Sequence, residues 1–370
     1  MGNVVETCHA DEEARMRRPL RSPADAPVCS KLAPRENDGE VPASWPVKEN
    51  CRAWPPIKMD ILFKEHLSLL KEAGLETGSW KAGGISPEDT LLVLDMQNDF
   101  IPGKFAPHGG RAAIPEGEAT IEPVVELIEA FSRRGALIIA TRDYHPADHC
   151  SFNDEGGPLP SHCIQATAGS FFYPDVAKAL HKAYTEPTCA PGFDGLPGRP
   201  GRVEVAFKGF VANVDSPSAF RYDEDSFRQR VCHRRLEQES SSMHAWTGAM
   251  ALKCSCLLGD INASPDLDAL LQNDLRPLDS IVPRSGRLLI VGLALDSAVL
   301  DTIANAAQLG YEQIYVAIDA CRPQHFAMSG EYGSGFFTDP AFIASQLKKY
   351  NVEVVQSSDV LRTSQVLGGA

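Results

Sequence analysis

Hydrophobic positions along this chain fall into short unbroken runs separated by amphipathic stretches. The first run is Thr90-Leu91-Leu92-Val93-Leu94-Asp95, bounded by polar residues. A parallel strand buried on both faces reads this way, because neither side of it meets water. Comparable runs predict strands at Ala136–Thr141, Arg202–Phe207, Leu288–Val291 and Ile314–Ile318, with a sixth at Asn351–Val355. Ile121, Val124, Val125, Leu127, Ile128 and Phe131 recur instead at helical spacing, and Gly135 stands at the stop. A further helix is predicted from about Ser297 to Leu309, ended by Gly310. Strands alternating with helices imply an α/β fold whose mostly parallel sheet is covered on both faces.

The rest of the chain is organised around this rhythm. Residues 1 to about 55 are rich in Pro, Arg, Glu and Asp with few large apolar side chains, so a disordered tail is expected. A helical extension over residues 56–88 follows, its helix at Met59–Glu72 gathering Ile61, Leu62, His66, Leu67, Leu69 and Leu70 mostly on one face. Gly74 and the Gly83-Gly84 pair break it. The main domain then runs from 89 to 358, and 359–370 is expected to be a C-terminal tail. Tyr184–Gly201 is dense in Pro and Gly and reads as loop. Residues from about 221 to 285 mix charge, serine and cysteine, and read as an insertion beside the active-site face.

Charge and composition narrow the partners. With 370 residues and 43% apolar content the chain can build a substantial core, and its net charge of −14 disfavours nucleic acid or an anionic membrane. No apolar run reaches transmembrane length and no signal peptide is visible, so the ten cysteines read as reduced thiols of a cytoplasmic protein. Cys254 and Cys256 form an isolated C-x-C without a second pair at zinc-finger spacing. Met1-Gly2 resembles the start of a myristoylation signal, with Cys8 and Arg15, Arg17, Arg18 and Arg21 as a second membrane signal. That motif wants a hydroxyl where Glu6 stands, one place before Thr7, so an unmodified charged tail is the expectation. Homo-oligomerisation is left open.

Candidate chemistry collects at strand ends. Ligands of open α/β sheets bind at the carboxyl ends of the strands, which is where Asp95 closes the first run. After the second run, Asp143 and His145 are two residues apart, so both side chains point the same way in extended chain. A carboxylate and an imidazole converging on one point suit a divalent transition metal. His162 is the nearest third ligand, while His149 could also reach the ion or support it. Lys208 ends the third run and precedes Gly209, a place from which an ammonium can hold an anion. The fourth run turns directly into a helix through Ala294, Leu295, Asp296, Ser297 and Ala298. Unpaired N–H groups and the positive dipole end make such a turn a good seat for a nucleophile, but Ala298 has no reactive atom.

Taken together, these segments resemble the nicotinamidases (pyrazinamidases) of the isochorismatase-like, cysteine-hydrolase superfamily. Seven motifs occur in the family's order: Asp95 to Phe100, Asp143 to Phe152, His162-Cys163, Lys208-Gly209, Asp215 to Phe220, Gly292 to Asp296, and Asp319 to Arg322. The resemblance implies a doubly wound fold with a six-stranded, mostly parallel sheet, and hydrolysis of nicotinamide to nicotinate and ammonia in NAD salvage. It implies that Asp95 is the general acid/base and that Lys208 stabilises a thiolate. Asp143, His145 and His162 would hold one divalent metal (zinc, iron or manganese) that binds the nitrogen of a pyridine carboxamide. Phe100, Leu159, Leu293 and Ala294 would line the ring pocket, with a cis peptide before Ala294 helping to shape an oxyanion hole.

Two departures from the family pattern stand out. Ser297-Ala298-Val299 replaces the family's aromatic-Cys-Val, and Leu159 replaces its tryptophan before Pro-x-His-Cys. The expectation is therefore a nicotinamidase-family protein with impaired or absent hydrolysis. The alternatives are a non-catalytic pyridine-binding pseudoenzyme or sensor, or a cysteine-independent hydrolase of the isochorismatase type that uses Asp95. Ser297 does not obviously substitute for the thiol, because adjacent helical side chains diverge by roughly 100°.

Overall fold

The computed structural model describes residues 61–81, 83–102, 110–186, 202–223, 247–252, 260–266, 270, 275–325 and 335–365. The expected N-terminal tail with its lipidation signal, the Cys254–Cys256 pair and most of the Tyr184–Gly201 loop lie outside the described residues.

In chain order the described elements are α1 (Ile61–Glu72), β1 (Thr90–Leu94), α2 (Ile121–Arg133), β2 (Leu137–Asp143), α3 (Pro174–Thr185), β3 (Val203–Lys208), β4 (Met250–Leu252), β5 (Leu275–Pro277), β6 (Leu288–Leu293), α4 (Leu300–Gln308), β7 (Ile314–Arg322), α5 (Pro340–Lys349), β8 (Glu353–Val355) and α6 (Ser357–Gln365). They build one sheet of eight strands, ordered β5-β4-β3-β2-β1-β6-β7-β8. The six expected strands form its parallel body. The expected count of six is corrected by β4 and β5, which add an antiparallel edge beyond β3. Both are three residues long and come from the segment expected as an insertion beside the active-site face. The expected C-terminal tail is also corrected, since residues from 359 continue as α6 and Val360 is fully buried.

Alternate residues of each central strand enter two different cores, as a sheet covered on both faces requires. Leu91 and Val93, Ile138 and Ala140, and Leu289 and Val291 pack with α2 and α3. Leu92 and Leu94, Leu137 and Ile139, and Leu288 and Ile290 pack with α1, α4 and α5. Right-handed crossovers explain the division: the chain winds one way from β1 to β3 and the other way from β6 to β8. The winding reverses between β1 and β6, and ligands of doubly wound sheets bind at that crevice.

One glycine lets the two strands meet there. Gly292 has φ +113°, and a Cβ on it would lie 2.1 Å from the Leu94 carbonyl oxygen. Any side chain would push β6 away from β1 just before both strands deliver residues to the crevice.

Candidate functional site

Adjacent strand ends bring the candidate residues together. Lys208 ends β3, opposite Asp143 at the end of β2, and Asp95 follows β1 on the other side of β2. Lys208 Nζ lies 2.9 Å from Asp95 Oδ2 and also bonds Asp143 Oδ1. All three side chains are buried. One ammonium between two carboxylates offsets the cost of removing those charges from water. Thr141 Oγ donates to Asp95 Oδ1 at 2.7 Å, a partner on β2 that the sequence reading did not single out.

The environment separates the two acids. Burial pushes the Asp95 carboxyl up to about 7, against the pull of Lys208. Burial also works to raise Asp143, but Lys208, His145 and His162 together hold it well below the usual carboxylate range. Asp143 is thus the resident anion, and Asp95 is the group poised to exchange a proton.

Asp143, His145 and His162 converge. His145 Nε2 and His162 Nε2 lie 3.6 and 3.9 Å from Asp143 Oδ2. Each imidazole is fixed from behind, His145 Nδ1 facing the Gly209 carbonyl at 2.8 Å and His162 Nδ1 facing the Pro160 carbonyl at 2.8 Å. A carbonyl can only accept, so both Nδ1 atoms carry a proton, and both Nε2 atoms are turned toward the carboxylate. Two imidazoles and one carboxylate in a buried cluster fit a divalent transition metal. Gly209 is needed here, because at φ +60° its Cβ would stand 2.6 Å from His145 Nδ1.

His149 takes a different role. Its Nε2 donates to the Val214 carbonyl at 3.2 Å and its Nδ1 accepts from Ser151 Oγ at 2.7 Å. With both nitrogens engaged, its ring stacks on His145 at 4.1 Å between centroids and supports it. His145, His149 and Asp215 form a second group of possible ligands, but only by giving up these bonds. Phe152 was legible only as a motif letter, yet its edge-on contacts with His145, His149 and His162, at 5.5–5.6 Å, hold all three rings.

The loop after β1 aligns this cluster. Gln97 clamps the Asp143 backbone from both sides, donating to its carbonyl and accepting its N–H, each at 2.8 Å. Asp99 Oδ2 accepts the N–H of Cys163, next to His162, at 2.8 Å. Phe100 then sets its ring 5.3 Å from His162. Leu159 is half-buried, and its described contacts are local, bridging to Phe152 and accepting the Asn153 N–H at 2.7 Å.

β6 delivers the remaining residues. Leu293 is buried beside Arg322, and the Leu293–Ala294 peptide bond is cis, as the resemblance implies. A π turn over Leu295–Val299 follows, with the N–H groups of Ser297 and Val299 both directed at the Ala294 carbonyl. Ala298 is buried in this turn. Because Leu94 pairs with Gly292, the turn leaves the sheet next to the strand end that carries Asp95. The buried thiols Cys163 and Cys321 do not replace the missing nucleophile. Burial, with Asp99 nearby, raises Cys163 far above the thiol range, and burial pushes Cys321 up to about 12.

Asp296 fastens the same turn. Its carboxylate accepts the N–H groups of Gln324 at 2.9 Å and Thr338 at 3.4 Å, and Thr338 Oγ donates to its carbonyl at 2.6 Å. Burial raises this carboxyl from 3.8 to about 7. A carboxyl raised on folding stabilises the native state at low pH. That contribution is lost as pH climbs from 3.8 to about 7. Asp296→Asn is therefore expected to flatten the fall in unfolding free energy across that window, by about 1 kcal/mol per pH unit. Urea denaturation at pH 4, 5.5 and 7 checks this, and unchanged slopes would reject it.

Parts of the chain are similar to known proteins. A family model described as the isochorismatase domain matches residues 89–190. The nicotinamidase of Escherichia coli is 27% identical over 251 residues, covering 64% of this chain and 84% of that protein. The nicotinamidase of Saccharomyces cerevisiae is 25% identical over 293 residues, covering 72% of this chain and 98% of that one. Among solved structures, the pyrazinamidase of Pyrococcus horikoshii in complex with zinc aligns with a TM-score of 0.42 and 24% identity, over 73% of this chain and 99% of that one. Residues 89–190, which carry Asp95, Asp143, His145 and His162, thus resemble the isochorismatase-like class of proteins. Within that class its sequence is related to the nicotinamidases.

Proposed function

We propose that this chain is a nicotinamidase-family protein that binds a metal ion and a pyridine carboxamide but has lost most or all of its hydrolytic turnover. One observation carries the reading. Asp95, Lys208 and the Asp143, His145 and His162 group lie together at the carboxyl ends of β1, β2 and β3, while the turn after the adjacent strand β6 carries Ala298.

Asp143, His145 and His162 would hold the ion, which supplies a Lewis-acidic position for a ring nitrogen. Phe100 and Leu293 flank the crevice as pocket walls, and Leu159 leaves one side less aromatic than the family's tryptophan would. Asp95 and Lys208 form the pair that would manage a thiol proton if a thiol were present. The alanine leaves that pair without the covalent step of amide hydrolysis. Cysteine-independent use of Asp95 is the second reading, favoured by a carboxyl that burial lifts to about 7.

Binding without turnover gives a direct test. Nicotinamide at about a hundredfold excess over its dissociation constant adds about 2.7 kcal/mol to stability. For a chain of this size that corresponds to a rise of about 5 °C in melting temperature. Differential scanning fluorimetry on the zinc-loaded protein reads the shift, with benzamide as the control that lacks the ring nitrogen. No shift at millimolar nicotinamide would reject the ligand class.

A further inference from the structure

Helix α1 lies outside the residues matched by the family model, which begins at 89, yet it is fastened at three places to segments that neighbour the proposed pocket residues. Glu116 makes the first attachment. Its Oε1 and Oε2 accept the N–H groups of Leu62 and Phe63, each at 2.9 Å, so one carboxylate caps the helix N-terminus with both oxygens. The capping residue itself has φ +58°, a conformation that a glutamate adopts at a cost.

The Glu116 segment is tied to the pocket walls. Ala112 donates to the Asp99 carbonyl at 3.0 Å and Ile114 to the Phe100 carbonyl at 2.9 Å. Gly117 sits so close that a Cβ would meet the Phe100 carbonyl oxygen at 3.4 Å and Leu293 Cδ1 at 3.6 Å. The second attachment is Phe63, whose ring lies under the Arg322 guanidinium at 3.9 Å, and Arg322 pairs with Leu293 in the sheet. For the third, the His66 ring packs on Phe336 at 4.7 Å, and two residues later Thr338 bonds Asp296 in the turn that carries Ala298. The first two turns of α1 thus reach, each through one intervening segment, Phe100, Leu293 and the turn that holds Asp296 and Ala298.

We infer that α1, latched by Glu116, is the outer wall of the ligand pocket and controls access of small molecules to the Ala298 position. The inference rests on the reading of Phe100, Leu293 and Ala298 as one pocket. Opening α1 breaks the Glu116 cap and withdraws Phe63 and His66 from the two segments behind the pocket. Closing it restores a continuous wall.

An introduced thiol reads access without requiring any ligand to bind. The full chain carrying Ala298→Cys is treated with iodoacetamide, and labelling at that position is followed by peptide mass mapping with and without Glu116→Ala. Hydrogen exchange over 61–72 is followed in parallel. Glu116→Ala is expected to speed both exchange of α1 and labelling of the introduced thiol by about tenfold or more. Labelling of the buried thiol Cys163, which bonds Asp99 and Gly169 rather than packing with α1, should stay unchanged, which shows that the rest of the core is intact. Faster exchange of α1 with unchanged labelling makes the helix a bystander and overturns the inference, as does no change in either. Should Glu116→Ala expose Cys163 by unfolding, Glu116→Gln, which keeps one acceptor oxygen, carries the same comparison. Excess nicotinamide should slow labelling in both proteins. If it does not, the assignment of nicotinamide as ligand fails, while the ratio of the two labelling rates still decides the role of α1.

Discussion

Ala298→Cys is expected to raise ammonia release from nicotinamide from near background by a thousandfold or more. The expectation follows from what surrounds position 298. Asp95 stands at the neighbouring strand end with its carboxyl lifted to about 7 by burial, so it can accept a thiol proton at neutral pH. Lys208 lies 2.9 Å from that carboxylate and stays charged, because the attraction of Asp143 and Asp95 outweighs its burial. The π turn after the cis peptide already directs two of its N–H groups to the Ala294 carbonyl and holds residue 298 buried. Removing the nucleophile from a comparable catalytic triad costs on the order of a million-fold in turnover, so restoring it recovers a large part of that factor. Ser297 in place of the family's aromatic, and Leu159 in place of tryptophan, keep the expected gain below the full factor. A coupled ammonia assay at saturating nicotinamide measures it. Substantial turnover by the unaltered chain would instead favour chemistry at Asp95 without a thiol. An Ala298→Cys protein that binds nicotinamide but stays silent would show that the surroundings have drifted as well.

Much of this site was legible because its residues stand at strand ends, and the strands announce themselves. A parallel strand buried on both faces is apolar over most of its length, so β1, β2, β6 and β7 each contain a short apolar run, which length and flanking polar residues distinguish from a helix. β4 and the edge strand β5 are too short to give such a run. They are three residues long, and β5 includes Arg276 and Pro277, tolerable only where the sheet ends. Helix α3 had a readable pattern in Val176, Ala179, Leu180 and Ala183 behind Pro174, but alanines at core positions give a weak hydrophobic stripe. What no sequence displays is the hydrogen-bond state of a ring. His149 is as good a ligand as His162 by residue type, and only its bonds to Val214 and Ser151 set it apart. Thr141 and Gln97 were hidden for a similar reason, since each acts through a partner 46 residues away in sequence.

His162→Ala is expected to abolish stoichiometric metal binding, whereas His149→Ala should leave about one equivalent per chain. The contrast comes from where the ring nitrogens point. His145 and His162 each donate Nδ1–H to a backbone carbonyl and present Nε2 to Asp143, so their coordinating atoms are aimed before any ion arrives. Burial and the neighbouring His145 keep His162 neutral, as a ligand must be, and Lys208 keeps Asp143 ionised. Deleting His162 removes one of three donors and leaves two, too few to fix a tetrahedral ion against competition from water. Even loss of an outer partner of a ligand typically costs 10–100-fold in affinity, about 1.4–2.8 kcal/mol, and loss of the ligand itself costs more. His149→Ala removes only such an outer partner, the ring stacked on His145. Metal content by mass spectrometry after gel filtration gives the count. Chelator should lower the melting temperature of the parent and of His149→Ala, but not of His162→Ala. The reverse pattern, with the ion lost on His149→Ala and kept on His162→Ala, would move the metal to the His145, His149 and Asp215 group and detach it from the crevice that holds Asp95.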